Sequence, residues 1–275
     1  EKEGTVKTFS WDELDLLPEV DVIIHLAGKA HDTKNKSEAR IYFDVNTGLT
    51  KKIFDYFLHS KAKKFIFFSS VKAAADSVKT DILTEDVISE PIGPYGESKR
   101  AAEKYIQTKD WDGKNVYIFR PCMIHGPGNK GNLNLLYSFV KKGIPWPLGA
   151  FENRRSFTSI DTVSFVVGQI IEKNIASGIY NIADDETLST NELISLISSV
   201  TGRKSRIWKL SPAIMNCVAQ LGTILHLPLN SERLRKLTEN YIVSNQKIKT
   251  ALQIEKMPVS ARTGFELTIK SFENK

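Results

Sequence analysis

A serine, a tyrosine and a lysine at defined spacing are the residues of this sequence best suited to chemistry. Ser69 and Ser70 directly follow a hydrophobic segment (65–68). Tyr95 and Lys99 come about 25 residues later. A tyrosine and a lysine four residues apart lie on the same face of a helix. Because a nearby ammonium group favours the phenolate, it lowers the pKa of the phenol. The three residues therefore predict a proton-transfer site.

The same tyrosine–lysine spacing occurs at three places, so the neighbouring residues must indicate which tyrosine is catalytic. Tyr105 precedes Lys109, and Tyr137 precedes Lys141. Both pairs lie inside predicted amphipathic helices, where a tyrosine near a lysine serves packing and solvation. Tyr95 instead follows a Gly-Pro pair at a predicted helix start, downstream of the segment that ends in paired serines. Tyr95 is therefore the predicted catalytic tyrosine.

The elements that must position these residues alternate between strands and helices. Short apolar runs without polar alternation predict strands buried on both faces, as in a parallel sheet. The predicted elements are a strand within 20–28, a helix over 37–60, a strand over 65–68, a helix over 95–109 and a strand over 116–119. This order predicts an α/β fold with a Rossmann-like, doubly wound parallel sheet.

The pattern changes in the second half and predicts a second domain. We expect a Rossmann-like domain over 1–125 and a smaller, mostly helical lobe over 126–275, with segments near 157–182 returning strands to the main sheet. Asp161 is predicted to cap a helix that ends near Lys173.

Composition excludes several classes of protein. The chain of 275 residues is 41% hydrophobic, and no apolar run reaches the roughly 18 residues of a membrane span, so no stable membrane insertion is expected. The two cysteines are far apart, which favours a reducing compartment and predicts a cytoplasmic protein. The scattered histidines and cysteines predict no metal site. The net charge is +6, but the sequence has no run of five basic residues. This argues against a nucleic-acid partner and favours a phosphate-bearing small molecule as the ligand.

Six motifs in a fixed order identify a family. They are His25-Leu26-Ala27-Gly28, Asn46 with Thr50, Ser69-Ser70, Tyr95-Gly96-Glu97-Ser98-Lys99, Arg120-Pro121 leading to His125-Gly126-Pro127-Gly128, and Asn153-Arg154-Arg155-Ser156-Phe157. With these motifs nearly the whole chain resembles the extended short-chain dehydrogenase/reductase family. Within that family it is most similar to the NAD-dependent nucleotide-sugar epimerases, dehydratases and 4-ketoreductases.

The resemblance implies roles for individual residues. Ser70, Tyr95 and Lys99 match the catalytic residues of the family. The implied cofactor is NAD, with NADP as the alternative, and a homodimer is implied through the helix of Tyr95 and the long helix before it. The residues implied to bind the cofactor are Leu26, Ala27, Gly28, Asn46, Tyr95, Lys99 and Pro121.

The resemblance also implies how a nucleotide sugar is held. Arg155 matches an arginine that pairs with the substrate diphosphate, a task suited to the planar, bidentate guanidinium. The further residues implied to contact substrate are Lys72, Met123, Lys130 and Asn132.

Two departures from related sequences narrow the expected reaction. Val71 and Lys72 follow Ser70, whereas the dehydratases carry an Asp-Glu pair there, so 4,6-dehydration is disfavoured. Met123 and its neighbours resemble the branch that serves polysaccharide sugars. We expect 4-epimerisation of a UDP-hexose or UDP-N-acetylhexosamine for surface polysaccharide synthesis. The alternatives are a UDP-4-keto-6-deoxy-hexosamine 4-reductase and, from another class, a non-catalytic dinucleotide sensor.

A glycine-rich phosphate-binding turn is expected in this family but does not precede Val20. The resemblance therefore predicts that a βαβ stretch of roughly 30 to 50 residues belongs before this sequence. Because that stretch carries the residue that selects NAD over NADP, the sequence leaves the choice open.

Overall fold

The computed structural model describes residues 7–30, 38–129, 132–227 and 229–273. Its strands are β1 (Val22–His25), β2 (Lys64–Phe68), β3 (Asn115–Pro121), β4 (Met123–His125), β5 (Phe157–Ser159) and β6 (Gly178–Ile182). Its α-helices are α1 (Ala39–Tyr42), α2 (Leu49–His59), α3 (Pro94–Gln107), α4 (Asn132–Lys141), α5 (Ile160–Glu172), α6 (Thr190–Val200), α7 (Pro212–Ile224), α8 (Ser231–Thr238), α9 (Gln246–Leu252) and α10 (Ala261–Glu273).

The chain divides into two compact units. The first comprises residues 1–74, 89–120 and 176–179, and the second comprises 75–88, 121–175 and 180–275. The second segment of the first unit ends at Arg120, and the predicted boundary between 125 and 126 stays a prediction. Residues 75–88 join the second unit because Leu83 pairs with a segment far along the chain: its N–H donates to Ile242 O at 2.8 Å, and Ser244 N–H donates to its carbonyl at 2.9 Å.

A four-stranded sheet has the strand order β1-β2-β3-β6, and its strands β1 and β2 lie in the first unit. β1 pairs with β2 and β2 with β3, both in parallel, which confirms the predicted α/β fold. Every residue of β2 is buried, as the uninterrupted apolar run predicts. The core formed with α2 and α3 contains Ile53, Phe54, Phe57, Ala62, Phe65, Phe67, Ala102, Ile106, Val116 and Ile118.

The long predicted helix contains one widened turn. Residues 43–48 form a π-helical turn between α1 and α2. Such turns in otherwise α-helical segments are frequent at functional sites because they redirect a few side chains. Here the turn buries Asn46 and Thr47.

The two strands predicted to return to the main sheet belong to different sheets in the structure. β6 does pair in the four-stranded sheet, but β5 pairs in parallel with β4 in a two-stranded sheet. β4 begins only one residue after β3, and the N–H of the intervening Cys122 donates to Ile182 O at 3.0 Å and to Thr158 Oγ1 at 3.1 Å. The predicted cap is also corrected. Ser159, not Asp161, caps α5, because its Oγ accepts from Thr162 N–H at 3.1 Å.

Candidate active site

Ser70 and Tyr95 meet where β2 ends and α3 begins. Ser70 precedes a short 3₁₀ turn (71–73), and Tyr95 is the second residue of α3. The backbones of the two elements touch at Gly96, where a Cβ would lie 2.5 Å from the carbonyl oxygen of Lys72. Only glycine tolerates that approach. At this contact the Ser70 side chain lies near enough to the Tyr95 phenol to lower its pKa.

The Ser70 hydroxyl favours the ionised form of Tyr95. Its oxygen accepts from Lys72 N–H at 3.2 Å, which leaves its hydrogen for the phenol oxygen. Burial raises the pKa of Tyr95, the hydrogen bond from Ser70 lowers it, and the nearby Tyr42 raises it; the net pKa is above its ordinary value. A base at this position therefore needs a further positive charge.

Lys99, one turn further along α3, is the candidate for that charge. Its side chain is buried, and its Nζ donates to Phe68 O at 2.7 Å and lies 5.0 Å from the centroid of the Phe67 ring. Burial lowers the pKa of Lys99 to about 8, against an opposing effect of Glu103. The ammonium form therefore persists at neutral pH, on the helix face that carries Tyr95.

A buried ion pair stands behind these groups. The Glu103 carboxylate accepts from Ser69 Oγ at 2.6 Å and from Arg120 Nε and Nη2 at 2.8 and 2.7 Å, and both charged side chains are at most 1% exposed. Arg100 Nη1 donates to the same carboxylate at 3.2 Å. The sequence analysis did not single out Glu103, although its position four residues after Lys99 on one helix face was a usable signal.

Asn46 fixes the loop that follows β1 against α3. Its Oδ1 accepts from Lys29 N–H at 2.7 Å, and its Nδ2 donates to Lys29 O at 3.1 Å and to Ser98 Oγ at 2.9 Å. Ser98 Oγ in turn donates to Tyr95 O at 2.9 Å. The widened helical turn thus orders the loop and the first turn of α3 together.

The small residues of this loop border the Lys99 ammonium. A Cβ on Gly28 would lie 2.9 Å from Lys99 Nζ and 3.1 Å from Asn46 Oδ1. Leu26 is exposed, Ala27 is half-buried and Gly28 is exposed. The exposed backbone of Gly28, which lacks a side chain and lies beside a cation and a fixed amide, fits the hydroxyl-bearing nicotinamide ribose that the resemblance implies there.

His25, at the end of β1, is a second group whose pKa is shifted by its surroundings. Thr50 Oγ1 donates to Asn46 O at 2.7 Å, so the His25 Nε2 atom, 2.8 Å from that hydroxyl, is assigned as the donor. Burial, aided by the charge of Lys99, lowers the pKa of His25 to about 4.

This burial predicts a loss of stability in mild acid. Between pH 6.5 and about 4 the unfolded chain protonates His25 but the folded chain does not, so the free energy of unfolding falls as pH falls. The loss is about 3 kcal/mol over that range. Urea unfolding of wild type and His25→Gln across pH 4–7 should show a smaller slope for the variant. Exposed His59→Gln is the control, and equal slopes for wild type and His25→Gln would contradict the prediction.

The other predicted residues are divided between the two units. Lys72 lies in the turn after Ser70, in the first unit. Pro121 ends β3, Met123 begins β4 and Asn132 begins α4, all in the second unit. Lys130 lies outside the described residues. Over the described ranges, no cluster of three or more histidine, cysteine or acidic side chains could hold a metal.

Arg155 is held by its backbone in the second unit. Its N–H donates to Leu188 O at 3.1 Å, and its carbonyl accepts from Leu188 N–H at 3.0 Å. Its Nη1 donates to Lys236 O. Burial lowers the pKa of its guanidinium, against opposing effects of Glu239 and Tyr241. The partly buried guanidinium is thus desolvated and has donor capacity for an anion.

Known proteins share this sequence and fold. UDP-glucose 4-epimerase of Vibrio cholerae is 31% identical over 263 residues, which is 93% of this chain and 78% of that protein. The N-acetyl-α-D-glucosaminyl-diphospho-ditrans,octacis-undecaprenol 4-epimerase of Escherichia coli O157:H7 is 28% identical, over 67% of this chain and 56% of its own length. UDP-glucuronic acid 4-epimerase of Bacillus cereus, solved in complex with NAD, has a TM-score of 0.73 at 22% identity, over 95% of this chain and 77% of that one.

A model of the NAD dependent epimerase/dehydratase family matches residues 10–183. The matched range contains β1 to β6 and the Ser70, Tyr95 and Lys99 constellation. This agrees with the resemblance drawn from the six motifs, and the expected family is confirmed. The chain belongs to the NAD dependent epimerase/dehydratase family.

Proposed function

We propose that the protein is a nucleotide-sugar 4-epimerase that acts on a UDP-hexose or UDP-N-acetylhexosamine. The approach of Ser70 to Tyr95, with the buried Lys99 on the same helix face as Tyr95, is the observation that carries the proposal. Membership of an epimerase family and the 31% identity to a UDP-glucose 4-epimerase support the same reaction. Its product would serve surface polysaccharide synthesis.

NAD is the cofactor, and the residues around Gly28 fit it. Leu26, Ala27 and Gly28 would lie along it, Asn46 would hold the loop in place, and Lys99 would donate to its nicotinamide ribose; Tyr95 and Pro121 complete the proposed set. When bound, NAD supplies reversible hydride acceptance at the sugar carbon. Side chains of this chain carry out the proton transfer and position the substrate.

Those side chains move and stabilise a single proton. Tyr95 accepts the proton of the sugar hydroxyl, because Ser70 donates to its oxygen and the Lys99 ammonium stabilises the phenolate. Once Tyr95 holds that proton, the single Ser70 hydroxyl hydrogen turns to the reacting oxygen and fixes its position. Tyr95 then returns the proton when the carbonyl is reduced from the other face, which completes epimerisation.

A side chain at Gly28 should weaken NAD binding. The Cβ of Gly28→Ala would force the Lys99 ammonium and the Asn46 amide apart, since neither contact leaves room for it. We expect the dissociation constant of NAD, measured by fluorescence titration, to rise by about tenfold or more. Gly168→Ala is the matched control, because nothing lies within 4 Å of its Cβ. Unchanged NAD affinity in Gly28→Ala would remove this loop from the cofactor site.

Arg155 is proposed to bind the substrate diphosphate, with Met123, Lys72, Lys130 and Asn132 as further substrate contacts. Arg155→Lys keeps the charge but loses the planar fork, so we expect KM for the nucleotide sugar to rise by about tenfold with little change in kcat. Steady-state kinetics with saturating NAD measure this. Arg262→Lys, an exposed arginine paired with Glu266, is the control. A normal KM in Arg155→Lys would reassign the diphosphate to other residues.

The reaction is tested on the full-length protein with UDP-N-acetylglucosamine and no added reductant, followed by NMR. Appearance of the galacto isomer would establish a 4-epimerase that recycles its cofactor. Consumption of NAD(P)H with a UDP-4-keto-6-deoxy-hexosamine, in place of isomerisation, would establish the 4-reductase. NAD(H) binding without turnover of either sugar would support a dinucleotide sensor and overturn the proposal.

We also propose a homodimer in the cytoplasm. The two distant cysteines suit a reducing compartment, where NAD and nucleotide sugars are made available. The family resemblance supports a dimer contact through α2 and α3. Sedimentation equilibrium and cell fractionation test the two statements, and a monomer at micromolar concentration would contradict the first.

A further inference from the structure

The most unusual surface of the second unit is an apolar strip around α7. Eight large apolar side chains between residues 208 and 227 have exposed fractions from 37 to 71%, although each would ordinarily be buried. They are Trp208, Leu210, Ile214, Val218, Leu221, Ile224, Leu225 and Leu227. A contiguous apolar surface of this kind marks a docking site rather than scattered exposure.

The apolar side chains of α7 form one continuous face. Met215, Ala219 and Gly222 are buried and seat the helix on its own unit. At 100° per residue, the exposed residues 214, 217, 218, 221, 224 and 225 fall within an arc of about 120° beside the buried one. Asn216, Gln220 and Thr223 occupy the remaining arc. The helix therefore has one apolar face for its own core and a second that this core does not use.

The chain segment that contains α7 carries charges of a single sign. Residues 193–231 contain no aspartate or glutamate, but they contain Arg203, Lys204, Arg206 and Lys209. All four basic residues are exposed and come shortly before α7. An exposed apolar helix face beside clustered basic residues is the pattern of helices that lie in the interface of an anionic membrane.

We propose that the α7 face binds the surface of an anionic lipid bilayer, with the basic segment 203–209 at the headgroups. A second copy of the chain fits less well, because a self-complementary contact would bring the basic segments of both copies together without acidic partners. Within the described part of the chain, no helix is long and apolar enough to cross a membrane. α7 has 13 residues and a length of about 20 Å, so the binding would be peripheral.

Vesicle co-sedimentation of the full-length protein with NAD bound tests the proposal. We expect binding to vesicles of equal parts phosphatidylglycerol and phosphatidylcholine, weakening with salt, and binding to pure phosphatidylcholine more than about tenfold weaker. Leu221→Gln with Leu225→Gln should lower binding to the anionic vesicles by more than about tenfold. Leu16→Gln with Leu135→Gln, at equally exposed positions elsewhere, should leave it unchanged.

The charge contribution has its own pair of variants. Lys204→Gln with Lys209→Gln should reduce binding to anionic vesicles and flatten its salt dependence, whereas the exposed pair Lys256→Gln with Lys270→Gln should do neither. Equal losses in both pairs would show that net charge alone drives binding, and the α7 face would not be the docking site.

Cys217 gives a direct readout of insertion. Of the two cysteines, Cys122 is buried and Cys217 is exposed on the α7 face, so a thiol-reactive environment-sensitive dye labels Cys217. Anionic vesicles should shift its emission to shorter wavelengths. No vesicle binding by the wild type would overturn the proposal. A concentration-dependent dimer that Leu221→Gln with Leu225→Gln dissociates, without vesicle binding, would assign the face to a second copy.

Discussion

Replacing Tyr95 with phenylalanine is expected to lower turnover by about a thousandfold or more, because the variant keeps the ring but loses the group that exchanges the substrate proton. Ser70 and Lys99 remain in place, so NAD binding should change little. Isomer formation followed by NMR under saturating NAD measures the effect.

The chain contains its own control for this experiment. Tyr105 has the same spacing to a lysine, and its hydroxyl donates to the Asp55 carboxylate at 2.7 and 2.8 Å. Tyr105→Phe should therefore retain near-normal turnover. A Tyr95→Phe variant as active as Tyr105→Phe would show that another group moves the proton.

Breaking the buried ion pair should give the largest loss of stability. In Arg120→Met the Glu103 carboxylate keeps Ser69 and Arg100 as partners but loses the two bonds from Arg120, while remaining 0% exposed. We expect the free energy of unfolding to fall by about 3–5 kcal/mol. The double variant Arg120→Met with Glu103→Leu should recover much of this loss, since it removes both charges.

A surface pair provides the comparison. Arg262 and Glu266 are 72 and 36% exposed, and Glu266→Gln should cost less than about 1 kcal/mol. Urea unfolding at neutral pH measures all four proteins. A loss in Arg120→Met no larger than that in Glu266→Gln would show that the buried pair contributes little to stability.

Glu103 also opposes the effect of burial on Lys99. Without that carboxylate the pKa of Lys99 should fall below about 8, and the ammonium would be lost at lower pH. In the double variant, the alkaline decline of turnover should therefore begin at lower pH than in the wild type. This dependence separates a positioning role of Glu103 from a purely structural one.

The positions of Ser70 after a strand and of Tyr95 and Lys99 on one helix were predictable because their signals are local. The Tyr95 and Lys99 spacing, the Gly-Pro pair before them and the apolar run before Ser70 each depend on a few adjacent residues. The alternation of strands and helices was equally local, and it predicted the parallel sheet of the first unit. These features follow from periodicity and turn chemistry.

Features that depend on distant partners were not predictable. Leu83 belongs to the second unit because it pairs beside Val243, and nothing in residues 75–88 indicates that partner. β5 pairs with β4 because the chain turns at Cys122, which a short apolar segment does not reveal. The hydrogen bonds of Glu103 to Ser69 and Arg120 connect residues that are far apart in sequence. They can therefore be identified only from the tertiary structure.

The division into two units separates substitutions near the proton-transfer residues from substitutions near the proposed substrate contacts. Ser70, Tyr95 and Lys99 rest on one hydrophobic core, whereas Met123, Asn132 and Arg155 belong to the unit with the other. Substitutions that share no core or partners have nearly additive effects on stability. With the substrate contacts proposed for the second unit, a lineage could therefore change the sugar it accepts without lowering the stability of the unit that holds Ser70, Tyr95 and Lys99.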